Sequence, residues 1–306
     1  MRVLVSGGAG FIGSHVTDAL ISRGDEVTVL DDLSTGDPAN LNPGADFQRF
    51  DIRSPEAAHL IRERRPEAIV HHAAQMSVSR SVADPILDAS INIAGTLNLL
   101  EAAREAGSRF VFASTGGALY GEARVLPTPE DQPTWPVSPY GVSKLSIEHY
   151  LHFYEVEHGL RYVALRYANV YGPRQNPHGE AGVVAIFCRA LFADGHPVIN
   201  GDGRQTRDYV NVADVVDANL RALASRETGP FNVGTGRQTD VNELFGLIVE
   251  RSGVRAEERH GEGRRGEQRT SALDASRIRE RLGWQPRVRL EDGLAETVDW
   301  FREAAR

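Results

Sequence analysis

Tyr140 and Lys144 stand four residues apart in the segment Ser138-Pro139-Tyr140-Gly141-Val142-Ser143-Lys144. Pro139 suits the first turn of a helix, so both side chains fall on one face. That spacing has a chemical use. A phenol ionises near pH 10 and is a poor base at neutral pH until a nearby cation stabilises its phenolate. The ammonium of Lys144 is such a cation. Upstream, Arg109-Phe110-Val111-Phe112-Ala113 reads as a strand that runs into Ser114-Thr115-Gly116-Gly117. One of these hydroxyls, Thr115 or Ser114, is suited to hydrogen-bond the oxygen that loses its proton. A phenol, an ammonium and a hydroxyl of this kind oxidise an alcohol reversibly, provided something accepts the hydride.

The opening stretch MRVLVSGGAGFIGSHV supplies the acceptor. Val3, Leu4 and Val5 read as a buried parallel strand, followed at once by Gly7, Gly10 and Gly13 and then by a helix. Gly7 permits the turn, Gly10 lets a pyrophosphate approach main-chain N–H groups, and Gly13 lets helix and strand pack closely. The first helical residues, Phe11 and Ile12, present their N–H groups to the anion. A second strand, Glu26 to Leu30, ends in Asp31 and Asp32, at the distance where an acid bonds an adenosine ribose 2′-hydroxyl. That acid repels a 2′-phosphate, so NAD is expected rather than NADP. Its positive nicotinamide would join Lys144 in stabilising the Tyr140 phenolate.

The intervening chain must bring these parts together. Phe47 to Phe50 reads as a strand closed by Asp51 and Ile52, where Asp51 either bonds the adenine amino group or caps the helix from Pro55. Ala57 to Arg65 is helical, and Ala68 to His72 is the next strand. Ala73, Ala74 and Gln75 follow, small enough at a strand's carboxyl end for a cofactor to lie against the backbone. His71 and His72 point to opposite faces of their strand and cannot share a metal, so packing is the expected role and no metal site is expected. Asp84 to Ala106 reads as one long helix, with polar Asn92 passing near the cofactor. Strand and helix alternate throughout, which predicts an α/β, Rossmann-type doubly wound parallel sheet. After the strand Leu160 to Leu165 the alternation breaks. Residues 1–168 are therefore expected to form the NAD-binding domain, with about 208–234 returning to it, and 169–306 mainly a smaller second domain.

Composition bounds the partners. The 306 residues carry a net charge of −8, with a pI near 5.7, which argues against nucleic acid and anionic membranes. Cys188 is the one cysteine, no apolar run is long enough to span a bilayer, and Met1 leads into a strand without a signal-peptide pattern. A cytoplasmic setting is expected.

From Met1 to Leu282-Gly283-Trp284-Gln285-Pro286, the chain resembles the extended short-chain dehydrogenases, specifically the NAD-dependent nucleotide-sugar epimerase/dehydratase family. The hexose 4,6-dehydratases of that family carry Thr-Asp-Glu where this sequence has Thr115-Gly116-Gly117. Without those carboxyl groups elimination lacks its acid and base, so the resemblance implies NAD-dependent 4-epimerisation of a UDP-hexose. One extra residue between Phe112 and Tyr120, relative to the commonest epimerase pattern, leaves Ser114 and Thr115 both open. The resemblance also implies a small α/β substrate domain and places Tyr167 near the nicotinamide. Asn169 and Val183 would lie at the substrate, with Arg207 and Arg264 as phosphate clamps and Glu267 at the ribose. Ser271 would leave room for an N-acetyl group. It further implies a homodimer through a four-helix bundle built from helices near 90–106 and 140–158. Alternatives are a UDP-glucuronate 4-epimerase or decarboxylase, with Arg174 facing the carboxylate, a UDP-N-acetylhexosamine 4-epimerase, and a non-catalytic NAD-binding scaffold or sensor.

Overall fold

A computed structural model describes residues 1–177, 182–193, 195–263 and 268–305. Its strands are β1 (Arg2–Ser6), β2 (Glu26–Leu30), β3 (Asp46–Gln48), β4 (Ala68–His71), β5 (Arg109–Thr115), β6 (Tyr162–Tyr167), β7 (Asn169–Tyr171), β8 (Val198–Asn200), β9 (Thr206–Arg207), β10 (Tyr209–Asn211), β11 (Gly229–Val233), β12 (Thr239–Asp240) and β13 (Arg259–Gly261). Seven form one parallel sheet in the order β11-β6-β5-β4-β1-β2-β3. The order reverses at β1, so a crevice opens between the carboxyl ends of β1 and β4, where doubly wound sheets bind their ligands. Helices cover both faces, and every residue of β4 and β6 is buried, as two covered faces require, with His71 and Arg166 the polar exceptions in otherwise mainly apolar strands.

The chain returns to this sheet twice. β11 extends it beyond β6, and the helix Val212–Ala224 packs Val215, Ala218 and Ala222 into the same core as Val3, Val5 and Val16. Ile278, Leu282 and Trp284 then join that core, and Trp284 Nε1 donates to the Asp214 carbonyl at 2.9 Å. The remaining elements build a second core from the helices Val183–Phe192, Val241–Ser252 and Leu290–Ala304, with β7 paired to β10, β8 to β13 and β9 to β12. Among the described residues no helix is long and apolar enough to cross a membrane.

Two local readings change. The long helix expected over 84–106 is three pieces: Pro85–Ala89, a π-helical turn at Ser90–Ala94, and Gly95–Ala106. Such a turn shifts a side chain out of register with its helix, and Asn92 sits within this one. The helix after β3 is capped by Ser54, whose Oγ accepts from Ala57 N at 3.2 Å, and not by Asp51.

Candidate active site

The helix Pro139–His158 starts with Pro139 in its first turn, and its N-cap Ser138 accepts from Gly141 N at 3.2 Å. A second free N–H at that end, from Tyr140, is taken by Ser81 Oγ at 3.2 Å, from the helix Val78–Ala83. The helix end is therefore held from two directions. Tyr140 and Lys144 share a face, with the Lys144 ammonium 5.8 Å from the Tyr140 ring centroid and 4.7 Å from that of Phe112. Lys144 Nζ donates to the Ala113 carbonyl at 2.8 Å. Burial draws its pKa down to about 8, against the opposing influence of Asp88 and Glu148. Burial also raises the Tyr140 pKa, and Asp88 raises it further, so the phenol needs additional positive charge to act as a base.

The two hydroxyls at the end of β5 are separated by the pleat. Ser114 is buried and its Oγ donates to Glu148 Oε1 at 2.5 Å, within a cluster where Arg166 binds both Glu148 oxygens at 2.6–3.1 Å. Thr115 points to the other side, half-buried, and no hydrogen bond engages its hydroxyl among the described residues. A Cβ placed on Gly117 would touch Thr115 Oγ1 at 4.0 Å and Asn169 Oδ1 at 3.8 Å, so these two polar atoms flank one small open space.

The crevice fits a dinucleotide. Gly7 has φ +75, and a Cβ there would lie 2.5 Å from Ala73 N; one on Gly13 would lie 2.2 Å from Gly7 O. The turn is thus compressed against both the helix and the end of β4. The helix Phe11–Ser22 begins at Gly10 with no side-chain cap, leaving first-turn N–H groups of Phe11, Ile12 and Gly13 for an anion. Asp31 Oδ2 accepts from Ala9 N at 3.0 Å and Oδ1 from Leu33 N at 2.8 Å, fixing a buried carboxylate against the glycine turn. Burial raises its pKa, and those two bonds oppose the rise. Asp32 bonds Ser34 N at 2.8 Å and stays exposed. Asp51 forms an ion pair with Arg53 at 2.5 Å beside buried Ile52.

The wall of the crevice joins residues named from the sequence, Gln75 and Asn92, to Asp88, which local spacing does not reveal. Asn92 is buried, with Oδ1 accepting from Gln75 N and Nδ2 donating to Gln75 O, both at 2.9 Å. Its amide therefore fixes the Ala73-Ala74-Gln75 turn instead of pointing at a ligand. Asp88, also fully buried, accepts from Gln75 Nε2 (2.9 Å), Asn92 Nδ2 (3.0 Å) and Ser143 Oγ (2.6 Å). His71 bridges Ser6 Oγ (2.6 Å) and Thr96 Oγ1 (2.8 Å), and His72 Nε2 meets the Tyr167 hydroxyl at 3.2 Å. Among the described residues no His, Cys, Asp and Glu cluster suits a metal.

A model of the NAD dependent epimerase/dehydratase family matches residues 3–234. The chain belongs to this family. The UDP-glucose 4-epimerase of Mycolicibacterium smegmatis is 48% identical over 313 residues, covering 100% of both chains. Among solved structures, UDP-glucose 4-epimerase of Thermotoga maritima with UDP-glucose is 50% identical with a TM-score of 0.98, covering 100% of both chains. The Thermus thermophilus UDP-glucose 4-epimerase complex with NAD is 46% identical with a TM-score of 0.95, covering 99% of this chain and 100% of that one.

Within the family frame, the substrate side is mixed. Asn169 opens β7 and lines the space beside Gly117. Val183 begins its helix half-buried, Arg207 lies in β9 with Nη1 donating to Thr206 O at 2.8 Å, and buried Ser271 pairs its N–H with Thr206 O at 3.2 Å. Arg264 and Glu267 lie outside the described residues. Two expectations change. The Tyr167 side chain, expected at the nicotinamide, turns into the core, where its hydroxyl accepts from Asn219 Nδ2 at 2.8 Å and its ring stacks on His72. Arg174, offered as a carboxylate receptor, instead pairs with Asp18 at 2.8 Å.

Proposed function

We propose that this protein interconverts UDP-glucose and UDP-galactose by NAD-dependent epimerisation at C4. One observation carries the reading: the Tyr140 phenol shares a helix face with Lys144 and faces no hydrogen-bond partner among the described residues, at the carboxyl end of the central strand β5, where Thr115 is equally open. The family membership and the full-length likeness to UDP-glucose 4-epimerases support it. Gly7, Gly10, Phe11, Ile12 and Gly13 would hold the pyrophosphate and Asp31 the adenosine ribose, with Asp51 and Ile52 near the adenine and Ala73, Ala74 and Gln75 along the cofactor's other side.

When bound, NAD would supply a reversible hydride acceptor at C4, and its ring charge would add to that of Lys144. Tyr140 takes the 4-hydroxyl proton, Thr115 donates a hydrogen bond to the same oxygen, and the Lys144 ammonium stabilises the phenolate. The resulting 4-keto sugar turns over in the pocket. Tyr140 would then give its proton back to O4 of the epimerised sugar, which leaves the phenol as it began. Gly116 and Gly117 offer no acid or base for elimination, which separates this site from a dehydratase. Asn169, Val183, Arg207 and Ser271 are proposed for the nucleotide-sugar side, with Arg264 and Glu267, outside the described residues, assigned there by the family resemblance alone, and residues 1–168 are proposed to hold NAD.

A homodimer is part of the reading. Val142, Tyr150, Phe153 and Val156 are exposed on the helix face opposite Tyr140 and Lys144, a stripe that a second copy of the helix would cover. The paired thiol chemistry of an oxidising compartment has no counterpart in a lone buried Cys188, in keeping with the cytoplasm. Incubation of the purified protein with UDP-galactose, with products read by NMR, tests the function. UDP-glucose should form at equilibrium without added oxidant, and with neither pentose nor CO₂. An unchanged substrate, or turnover of UDP-glucuronate alone, would overturn it.

A further inference from the structure

We propose that Asp88 is a positioning residue for the reacting tyrosine, fastening the catalytic helix to the wall of the cofactor crevice. The inference rests on the proposed chemistry of Tyr140 and deepens it. Asp88 is fully buried and lies on the short helix Pro85–Ala89, just before the π-helical turn. Its Oδ2 accepts from Ser143 Oγ at 2.6 Å, on the catalytic helix between Tyr140 and Lys144. Its Oδ1 accepts from Gln75 Nε2 at 2.9 Å and Asn92 Nδ2 at 3.0 Å. Asn92 in turn clamps both main-chain groups of Gln75. One carboxylate therefore joins the catalytic helix, the π-turn and the end of β4 by accepting from three donors. The π-turn has a physical reason here, since it rotates Asn92 onto the Gln75 backbone while Asp88 reaches the helix.

The same carboxylate is a negative charge near the reacting pair. Its field raises the pKa of Tyr140 and, in the opposite sense for reactivity, favours the ammonium of Lys144. The other titratable groups around them are Glu148, one turn on along the same helix, and His71 at the end of β4 with His72 just beyond it, whose pKa values burial holds low enough to keep both neutral near pH 7. Asp88 is thus the charge brought to Tyr140 from a separate element.

The test uses the full-length, NAD-bound protein, its Asp88→Asn and Ser143→Ala variants, and each paired with Tyr140→Phe. Turnover of UDP-galactose is measured against pH, and Tyr140 ionisation is read without substrate as the ultraviolet difference between each protein and its Tyr140→Phe partner. Asp88→Asn should lower kcat by about tenfold or more with little change in KM, and move Tyr140 ionisation down by about one pH unit. Ser143→Ala should lower kcat while leaving that ionisation in place. A folded Asp88→Asn protein with the wild-type ionisation, or a loss confined to KM, would overturn the proposal. If Asp88→Asn does not fold, wild-type kcat in Ser143→Ala overturns it instead. Wild-type protein inert toward UDP-galactose would count against the function alone, and the phenolate titration would still decide the role of Asp88.

Discussion

The Lys144 ammonium donates to the main-chain carbonyl of Ala113 at 2.8 Å, so the cation proposed to serve Tyr140 is anchored to the strand that carries Thr115. The proposed base, cation and hydroxyl are positioned by one helix and one strand tied at that bond. Replacing Lys144 with Met removes the charge and keeps most of the volume. Activity should fall by about a hundredfold or more. The folded-state pKa, drawn down to about 8, lies below the ordinary lysine value, so wild-type stability rises as pH climbs from about 8 towards that value. Lys144→Met should lose this rise, and urea denaturation at about pH 7.5 and about pH 10, on either side of that window, would show it.

Ser114 and Thr115 make opposite predictions. Thr115→Val should cut kcat by about a hundredfold while NAD binding and urea stability hold. Ser114→Ala removes a buried charge-assisted bond to Glu148 and should destabilise by about 1.5–3 kcal/mol, with a smaller loss of kcat. Thermal melts beside steady-state rates separate the two. A Ser114→Ala protein that is stable and inactive would transfer the catalytic role.

His72 stores acid sensitivity. Burial lowers its pKa to about 3, so the folded state holds it neutral while the unfolded chain protonates it near pH 6.5. The sign follows: its contribution is present above pH 6.5 and is lost as pH falls towards 3, at about 1.4 kcal/mol per pH unit. Replacing His72 with Gln should flatten the fall in urea stability between about pH 6.5 and about pH 4.5. His71 behaves likewise, and its replacement should add to the effect.

Asp31 is the residue proposed to set the cofactor choice. Its carboxylate is held by Ala9 N–H beside the glycine turn. Asp31→Ser should weaken NAD binding and narrow the preference over NADP, measured by titrating each dinucleotide against protein fluorescence. Unaltered selectivity would remove Asp31 from the ribose site.

What the sequence revealed was local. The glycine turn and the Tyr140–Lys144 pair announce themselves because their chemistry depends on spacings of three and four residues, which a helix or turn converts directly into geometry. Ser81 and Asp88 were missed because they reach Tyr140 and Ser143 across 59 and 55 residues, a pairing only the folded chain makes. Arg174 misled for the same reason, its partner Asp18 lying 156 residues away. The π-turn was hidden because the apolar pattern of 84–106 fits a regular helix; burial of Asn92 against Gln75 overrides it. Thr115 and Ser114 could not be separated until the pleat of β5 and the Glu148–Arg166 cluster were in view.

The most direct measurement follows the C4 hydrogen itself. UDP-galactose carrying deuterium at C4 is incubated with the protein in ordinary water, and the UDP-glucose formed is examined by NMR and mass spectrometry. Removal and return of one hydride within a closed site predicts full retention of deuterium at C4, and a Tyr140→Phe protein that forms almost no product. Loss of deuterium to solvent, or undiminished turnover without the phenol, would contradict the account.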